Sequence, residues 1–348
     1  MRGVRTGAVA ALVTMGALAG CTSKSMPPPL GNGGTHPPIG GGGGTTNDAS
    51  ADGGVATVLL TGQTNVRAVA TDSSWVYFAT ASDGATLKSG TVRRVSKLGG
   101  QPQDLATNLD SPYAAFLFGG ELYYSTPDPT SVSGTIYAVA AAGGTPRIVV
   151  SGTGAASWLA NDGQFVYFPT TFGATGASIE RAALGGGTSQ IVAQVTGALV
   201  PYGIIVSQGW VYFAATGVGG GIYRAAVTGG GAEPLDQESA SFSGITLAAG
   251  RLWVTDDIAT HGRLVSIPIA GGTPRVDVTD IDHPTHIVTD GTWIYFTSYG
   301  SAGAVAAFST VDGTLKVLAV DLAFPWDLAV DDAVYVGVID GVIRVPKP

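Results

Sequence analysis

Three histidines and three aspartates that lie close together along the chain carry the side chains best suited to chemistry. They are His261, His283 and His286, with Asp256, Asp257 and Asp282. Neutral imidazole and carboxylate groups are common ligands of divalent metals, and a histidine can also act as a general base. Their spacing fits no compact metal motif, so we predict no cofactor, with a divalent metal at these side chains as the alternative. The competing interpretation is that they are solvated loop residues.

Aromatic and small polar residues form a second candidate set, because they directly follow four recurring prolines. The prolines are Pro112, Pro201, Pro284 and Pro325, and the residues beside them are Tyr113, Tyr202, Thr285, His286 and Trp326. Asn65, Ser157 and Ser243 fall near the same place in the other repeats. Such a lining suits a small amphipathic or sugar-like ligand. The competing interpretation is that the prolines fix the start of a strand and the aromatics only fill space.

Both candidate sets lie within a sequence repeat that occurs seven times along the chain. Each copy holds an aromatic strand core, such as Trp-Ile-Tyr-Phe at 293–296, a further strand and a turn that is usually rich in glycine. The central aromatics, at 77, 123, 167, 212, 253, 295 and 335, are 46, 44, 45, 41, 42 and 40 residues apart. A period of this size, carried by β-forming and turn residues, indicates a β-propeller.

The sixth repeat predicts four strands, at 286–290, 293–297, 304–308 and 314–319. The seventh repeat supplies three strands, and the segment from Thr57 to Gly62 resembles the fourth strand of the second repeat. We therefore predict an all-β fold, a seven-bladed β-propeller of four-stranded antiparallel blades whose N-terminal strand closes the last blade. Closure removes exposed sheet edges, which would otherwise promote aggregation.

The predicted architecture places both candidate sets on one face. In a propeller the first strand of each blade lines a central channel, and the loops between second and third strands lie at the face where that strand starts. The histidines and aspartates would then lie in blades five and six, and the aromatic set would surround the channel mouth. Variable loops on a rigid frame are where a binding surface is expected.

The first residues carry an independent signal for export. Arg2 and Arg5 supply basic charge, and an apolar run from Ala8 to Leu18 is too short to span a membrane. The run ends in Leu-Ala-Gly-Cys at 18–21, which resembles the lipobox of bacterial lipoproteins. This resemblance implies cleavage before Cys21 and its lipidation. We predict a signal peptide at 1–20, a lipidated cysteine and disordered Gly/Pro/Ser/Thr tether at 21–54, and the propeller at 55–348.

The lipoprotein resemblance also predicts a location. Each buried methylene contributes about 0.8 kcal/mol, so two or three acyl chains on Cys21 would hold the protein on a membrane. Thr22 stands where an aspartate would favour inner-membrane retention. We therefore expect a lipid anchor in the cell envelope, in the outer membrane and facing the periplasm or the cell surface.

The composition of the chain limits the disulfides it can form and the kinds of partner it is expected to bind. Cys21 is the only cysteine, so no intramolecular disulfide can form. The chain has 17 basic and 25 acidic residues, and removing Arg2 and Arg5 with the signal leaves 15 against 25, a net charge of −10. That balance argues against nucleic acid, which requires clustered lysine and arginine. We expect a monomer whose partners are the membrane and an envelope protein or small ligand.

The repeat resembles two known groups of propellers. Val-Tyr-Phe strands, the sequence Gly-Ile-Tyr-Arg at 221–224 and the Gly-Gly turns look like those of TolB-like and YWTD-type propellers. The aspartate of the YWTD motif is mostly absent here. The resemblance implies a scaffold that binds proteins or ligands. Virginiamycin B lyase is a similar seven-bladed enzyme, but none of its catalytic residues can be placed on this sequence.

The sequence thus predicts a membrane-anchored envelope lipoprotein whose propeller binds a protein or small ligand. The alternative is a lyase or hydrolase with a His/Asp site, with or without a metal, on the loop face of blades five and six. We expect the protein not to be an enzyme.

Overall fold

The computed structural model describes residues 55–82, 88–127, 134–154, 156–171, 177–196, 199–237, 241–258 and 262–348. All of them belong to one compact unit of the chain, Pro38–Pro348. The predicted signal peptide, the tether with Cys21, and His261 lie outside the described residues.

The first four blades take their strands in chain order. Blade 1 contains β2 (Val66–Thr71), β3 (Trp75–Thr80), β4 (Gly90–Ser96) and β5 (Gln103–Leu109), and blade 2 contains β6 (Ala115–Phe118), β7 (Glu121–Pro127), β8 (Gly134–Ala140) and β9 (Arg147–Ser151). Blade 3 contains β10 (Ala160–Asn161), β11 (Phe165–Thr171), β12 (Ala177–Ala183) and β13 (Gln190–Val195). Blade 4 contains β14 (Val200–Ser207), β15 (Trp210–Thr216), β16 (Gly221–Ala226) and β18 (Glu233–Asp236).

The last three blades follow the same order. Blade 5 contains β19 (Phe242–Ala248), β20 (Arg251–Asp256), β21 (Gly262–Pro268) and β22 (Arg275–Ile281), and blade 6 contains β23 (Pro284–Thr289), β24 (Trp293–Ser298), β25 (Gly303–Ser309) and β26 (Leu315–Leu322). Blade 7 contains β27 (Leu328–Val330), β28 (Val334–Val338), β29 (Gly341–Val345) and, from the start of the described chain, β1 (Thr57–Thr61).

These sheets confirm the predicted all-β, seven-bladed propeller. Neighbouring strands within each four-stranded blade are antiparallel. One departure is β17 (Gly230–Gly231), which follows the third strand of blade 4 but pairs in parallel with β13 of blade 3. Across the described ranges, no helix is long and apolar enough to cross a membrane.

The predicted ring closure is also confirmed. Strand β1 pairs antiparallel with β29, with Thr57 opposite Arg344 and Thr61 opposite Gly341. The last blade therefore takes its outer strand from the opposite end of the sequence. This pairing occupies the free edge of β29, which would otherwise expose unpaired backbone groups.

The hydrophobic core consists of one apolar cluster between each consecutive pair of blades. Tyr77 of blade 1 packs in the same cluster as Tyr124 of blade 2, and Phe78 of blade 1 packs with Tyr335 of blade 7. The second strands are buried on both faces because a blade lies on each side of them. Consecutive blades are thus neighbours around the ring, and blade 7 adjoins blade 1.

An aspartate at the turn between first and second strands fixes the position of the second strand. Asp72 accepts hydrogen bonds from the backbone N–H groups of Ser74 and Trp75, both at 2.8 Å, and from the Tyr77 hydroxyl at 2.7 Å. The Asp–Tyr hydrogen bond recurs as Asp162–Tyr167, Asp290–Tyr295 and Asp332–Tyr335. Each such carboxylate anchors the central aromatic of its blade and so holds the second strand in position.

Candidate functional site

The first strand of each blade, which lines the channel, is its inner strand. Strand register identifies seven equivalent residues near the start of these inner strands, and we call this set the mouth ring. Its members are Arg67, Tyr113, Ser157, Tyr202, Ser243, Thr285 and Trp326, in blades 1 to 7. The next residues form a second ring: Ala68, Ala114, Trp158, Gly203, Gly244, His286 and Asp327. The four ligand-site candidates Tyr113, Tyr202, Thr285 and Trp326 all lie in the mouth ring, and the fifth, His286, lies in the second ring.

Bulges in the inner strands offset these residues from the sheet register. In β23, Pro284 pairs with Ser298 and Ile287 with Phe296, so Thr285 and His286 together face a single partner residue. The same irregularity occurs in the inner strands of blades 1, 4 and 5. A β-bulge bends its strand and redirects side chains, and bulges are frequent beside functional sites.

Aromatic side chains meet across the centre of the ring. Trp158 stacks on His286, with ring centroids 4.4 Å apart and planes inclined by 22°. Tyr113 meets Trp326 edge to face at 6.0 Å, and Trp326 lies 5.7 Å from His286. Blades 3 and 6 are not neighbours, nor are blades 2 and 7, so these contacts are possible only inside the central channel.

Arg67 completes this group, which we call the channel cluster: Arg67, Tyr113, Trp158, His286 and Trp326. Its guanidinium carbon lies 4.3 Å from the Trp326 ring centroid and 5.9 Å from that of Tyr113. Both distances fall within the range of cation–π attraction. Among the described residues, the guanidinium has no hydrogen bond or ion pair, and its Nε is buried without a partner.

Three buried nitrogen atoms of the channel cluster lack hydrogen-bond partners among the described residues. They are Arg67 Nε, His286 Nδ1 and Trp326 Nε1. Leaving a buried polar group unpaired costs about 1–3 kcal/mol, so such groups call for an explanation. His286 is 8% exposed. Burial, together with the nearby charge of Arg67, lowers the pKa of His286 to about 3, so this imidazole is neutral at physiological pH.

Asp327 directly follows Trp326 of the channel cluster and is the blade 7 member of the second ring. Its Oδ2 accepts a hydrogen bond from the Val69 N–H, and its Oδ1 accepts one from the Leu328 N–H, both at 2.8 Å. Burial raises the pKa of Asp327 to about 7, although these two hydrogen bonds favour the ionised form. The residue is therefore a channel carboxyl that changes charge near neutral pH.

Part of the predicted His/Asp set does come together, at the loop face of blades 5 and 6. His283 Nδ1 lies 3.0 Å from Asp257 Oδ1, and His283 Nε2 lies 3.6 Å from Asp282 Oδ1. Burial raises the pKa of Asp257, and the neighbouring His283 partly offsets that increase. We call this arrangement, in which the His283 imidazole pairs with the carboxylates of Asp257 and Asp282, the His283 pair site.

The structure places the remaining members of that set elsewhere. Asp256 is fully buried and accepts a hydrogen bond from Arg263 Nε at 3.0 Å, and His286 belongs to the channel cluster. His261 lies outside the described residues. Within the described ranges, no group of three or more His, Cys, Asp or Glu side chains is arranged to hold a metal ion.

The other two predicted ligand-site residues differ in surroundings. Thr285 Oγ1 lies 2.9 Å from Thr297 Oγ1, so its hydroxyl is engaged within the blade. Tyr202 is 37% exposed and offers an aromatic surface on the blade 4 side of the mouth ring.

Sequence reasoning missed Arg67, Trp158 and Asp327. In blade 1 it placed Asn65 near the mouth, but strand register assigns that position to Arg67. A count would have found it, because Arg67 lies ten residues before Tyr77, as Thr285 lies ten before Tyr295. For Trp158 the same count identifies Ser157 as the ring residue, but the stacking on His286 has no sequence signal.

Comparisons with known proteins extend only to the fold. No family model matches the chain, and no curated protein matches it in sequence. The WD40 propeller domain of Doa1 is similar with a TM-score of 0.64 at 15% identity, covering 84% of this chain and 96% of that one. Oligogalacturonate lyase in complex with manganese is similar with a TM-score of 0.63 at 15% identity, covering 87% of this chain and 96% of that one. TolB from Acinetobacter baumannii has a TM-score of 0.53 at 14% identity, covering 79% of this chain and 67% of that one.

At these identities the likeness concerns architecture and carries no ligand or reaction across. The TolB structure supports the fold that the TolB-like resemblance implied. The chain is thus a seven-bladed β-propeller, structurally similar to a WD40 propeller domain, to TolB and to a lyase.

Proposed function

We propose that this protein is a lipid-anchored lipoprotein of the bacterial envelope whose propeller binds a small ligand at the channel mouth. The observation that carries the ligand site is the channel cluster, where side chains from five blades converge and three buried nitrogen atoms have no partner in the described part of the chain.

The chemistry of the channel cluster favours recognition over mere filling of the channel. Leucine or valine could fill the same space without leaving any polar group unpaired. Tryptophan, tyrosine and arginine instead provide flat stacking surfaces together with hydrogen-bond donors. Side chains of these types are the ones that dominate binding energy in known interfaces.

Ligand binding is tested by a thermal-shift screen of small sugars, amino acids and aromatic acids, followed by calorimetry on the hits. Trp158→Ala and Trp326→Ala should weaken any hit by tenfold or more. Trp75→Ala, which removes an aromatic ring from the side of blade 1, is the matched control and should leave affinity unchanged. A hit that binds both channel variants as tightly as the parent protein would contradict the proposal.

Anchoring rests on the Leu-Ala-Gly-Cys sequence at 18–21 and the predicted tether that follows it. Cys21→Ser should release the protein from the membrane fraction into the soluble envelope fraction. Separation of inner from outer membranes then tests the predicted outer-membrane location. Retention of the Cys21→Ser variant in membranes would refute the lipid anchor.

A second candidate function, a lyase or hydrolase, is favoured by the His283 pair site. Asp257 Oδ1 lies 3.0 Å from His283 Nδ1 and can orient the ring, so that Nε2 could act as a general base. The structurally similar oligogalacturonate lyase suggests oligogalacturonate with Mn²⁺ as a first assay. His283→Gln and Asp257→Asn should each reduce turnover at least a hundredfold if this site is catalytic, whereas His286→Gln should matter less, because His286 is not part of this pair.

A further inference from the structure

We propose that the ligand of the channel mouth is a small ring-bearing carboxylate, and that Arg67 binds its carboxylate group. This inference rests on the proposed binding function and adds the charge and the chemical class of the ligand.

The pairing of the other arginines sets Arg67 apart. Every other arginine that the structure describes is ion-paired or hydrogen-bonded to a protein acceptor: Arg93, Arg94, Arg147, Arg181, Arg224, Arg251, Arg263, Arg275 and Arg344. Within the described ranges, the Arg67 guanidinium interacts only with the aromatic faces of Trp326 and Tyr113. An always-charged guanidinium without a protein acceptor is a ready partner for an anion from solution.

The charges around Arg67 select a monoanion. Arg67 is the only charged member of the mouth ring, and His286 is neutral because its pKa lies near 3. Asp327 in the second ring adds negative charge as it ionises, which would repel a dianion more strongly than a monoanion. A carboxylate carries one charge and matches the planar guanidinium fork with two parallel hydrogen bonds.

The aromatic residues beside Arg67 select a ligand with a ring or another flat apolar part. Tyr113 and Trp326 meet edge to face, and Tyr299 lies 5.1 Å from Trp326 in a second edge-to-face contact. Tyr202 adds exposed aromatic surface to the same ring of residues. A ring bound here can stack on an aromatic face while its carboxylate reaches Arg67.

The test compares benzoate with benzamide, which has nearly the same shape but no charge. Binding is followed by calorimetry and by the ¹⁵N–¹H signal of Arg67 Nε. We expect benzoate to shift that signal and to bind at least tenfold more tightly than benzamide. Arg67→Gln should remove this preference, Arg67→Lys should keep part of it, and Arg94→Gln, on the side of blade 1, should leave it intact.

The outcomes separate this inference from the function on which it rests. Equal affinity for benzoate and benzamide, or benzoate binding that survives Arg67→Gln in a folded protein, would overturn the charge assignment. Tighter binding of sulfate, which is a dianion at neutral pH, than of benzoate would overturn the assignment of a monoanionic ligand. If neutral sugars bind in a Trp326-dependent manner while benzoate does not, only the present inference fails; if no ligand depends on Trp158 or Trp326, the binding site itself fails.

Discussion

Two arginine–tryptophan pairs with almost the same geometry lie in different regions of the propeller. Arg94 sits over Trp75 in blade 1 at 4.2 Å, and Arg67 sits over Trp326 in the channel at 4.3 Å. Arg94 also donates to Gln103 Oε1 from Nε at 3.0 Å and from Nη2 at 2.8 Å, and to the Ala141 carbonyl oxygen of the next blade. Arg67 makes no such bonds to the described residues.

The difference distinguishes a region whose polar groups stabilise the fold from a region whose polar groups lack partners among the described residues. The blade pair recurs, as Arg181 over Phe165 and Arg224 over Trp210, and its donors are used. The channel pair occurs once in the described residues and has unused donors. We therefore expect changes in the repeated framework to alter stability, and changes in the channel cluster to alter binding.

The largest framework effect should come from deleting Val55 to Gly62, which contains the closing strand β1. The deletion exposes the edge of β29 and removes the pairing that joins the two ends of the ring. We expect aggregation or loss of cooperative unfolding, measured by light scattering and chemical denaturation. A deletion variant that unfolds like the parent would show that the ring does not depend on this strand.

Asp327 should give the largest stability effect of any channel residue, through pH. Its folded-state pKa of about 7 lies above the ordinary value of 3.8 for an aspartate, so the folded state holds the proton more tightly than the unfolded chain does. Stability should therefore fall as pH rises from about 4 to 7, by about 4 kcal/mol, and then level off. Asp327→Asn should lack this fall, and parallel pH profiles of the two proteins would contradict the raised pKa.

In the framework, Asp290 should show the opposite dependence on pH. Burial alone would raise its pKa, but hydrogen bonds from Lys347, the Trp293 N–H and the Tyr295 hydroxyl outweigh it and lower the pKa to about 2. Asp290→Ala should cost about 1–3 kcal/mol above pH 4. Because the native pKa is depressed, this difference should shrink as pH falls through about 2. Urea unfolding at pH 7 and pH 2 measures both values.

The smallest expected effect compares the two arginines directly. Arg94→Met should destabilise the protein by about 1–2 kcal/mol, since it leaves the Ala141 carbonyl and Gln103 without their donor. Arg67→Met should change stability by less than about 1 kcal/mol, because it removes a buried donor that no described residue pairs with. A larger loss for Arg67→Met than for Arg94→Met would place Arg67 in the framework and remove the contrast.

Much of the frame was predictable because its determinants are local and repeated. The aromatic spacing, the glycine turns and the likeness of the N-terminal segment to a fourth strand predicted seven blades and their closure. The pairing of His283 with Asp257 and Asp282 followed from placing two loops on one face. The separation of Asp256 and His286 from that site was not predictable, because neighbouring residues on a strand can face different partners.

The sequence by itself determined the repeat, the strand order and the residues available to the channel, since each depends on short-range turn chemistry and hydrophobic pattern. Only the tertiary structure decided which of those residues meet. Ring closure brings Trp158 to His286 and Tyr113 to Trp326 across non-neighbouring blades, and the bulge in β23 redirects Thr285 and His286. That convergence leaves Arg67 Nε buried without an acceptor among the residues that the structure describes.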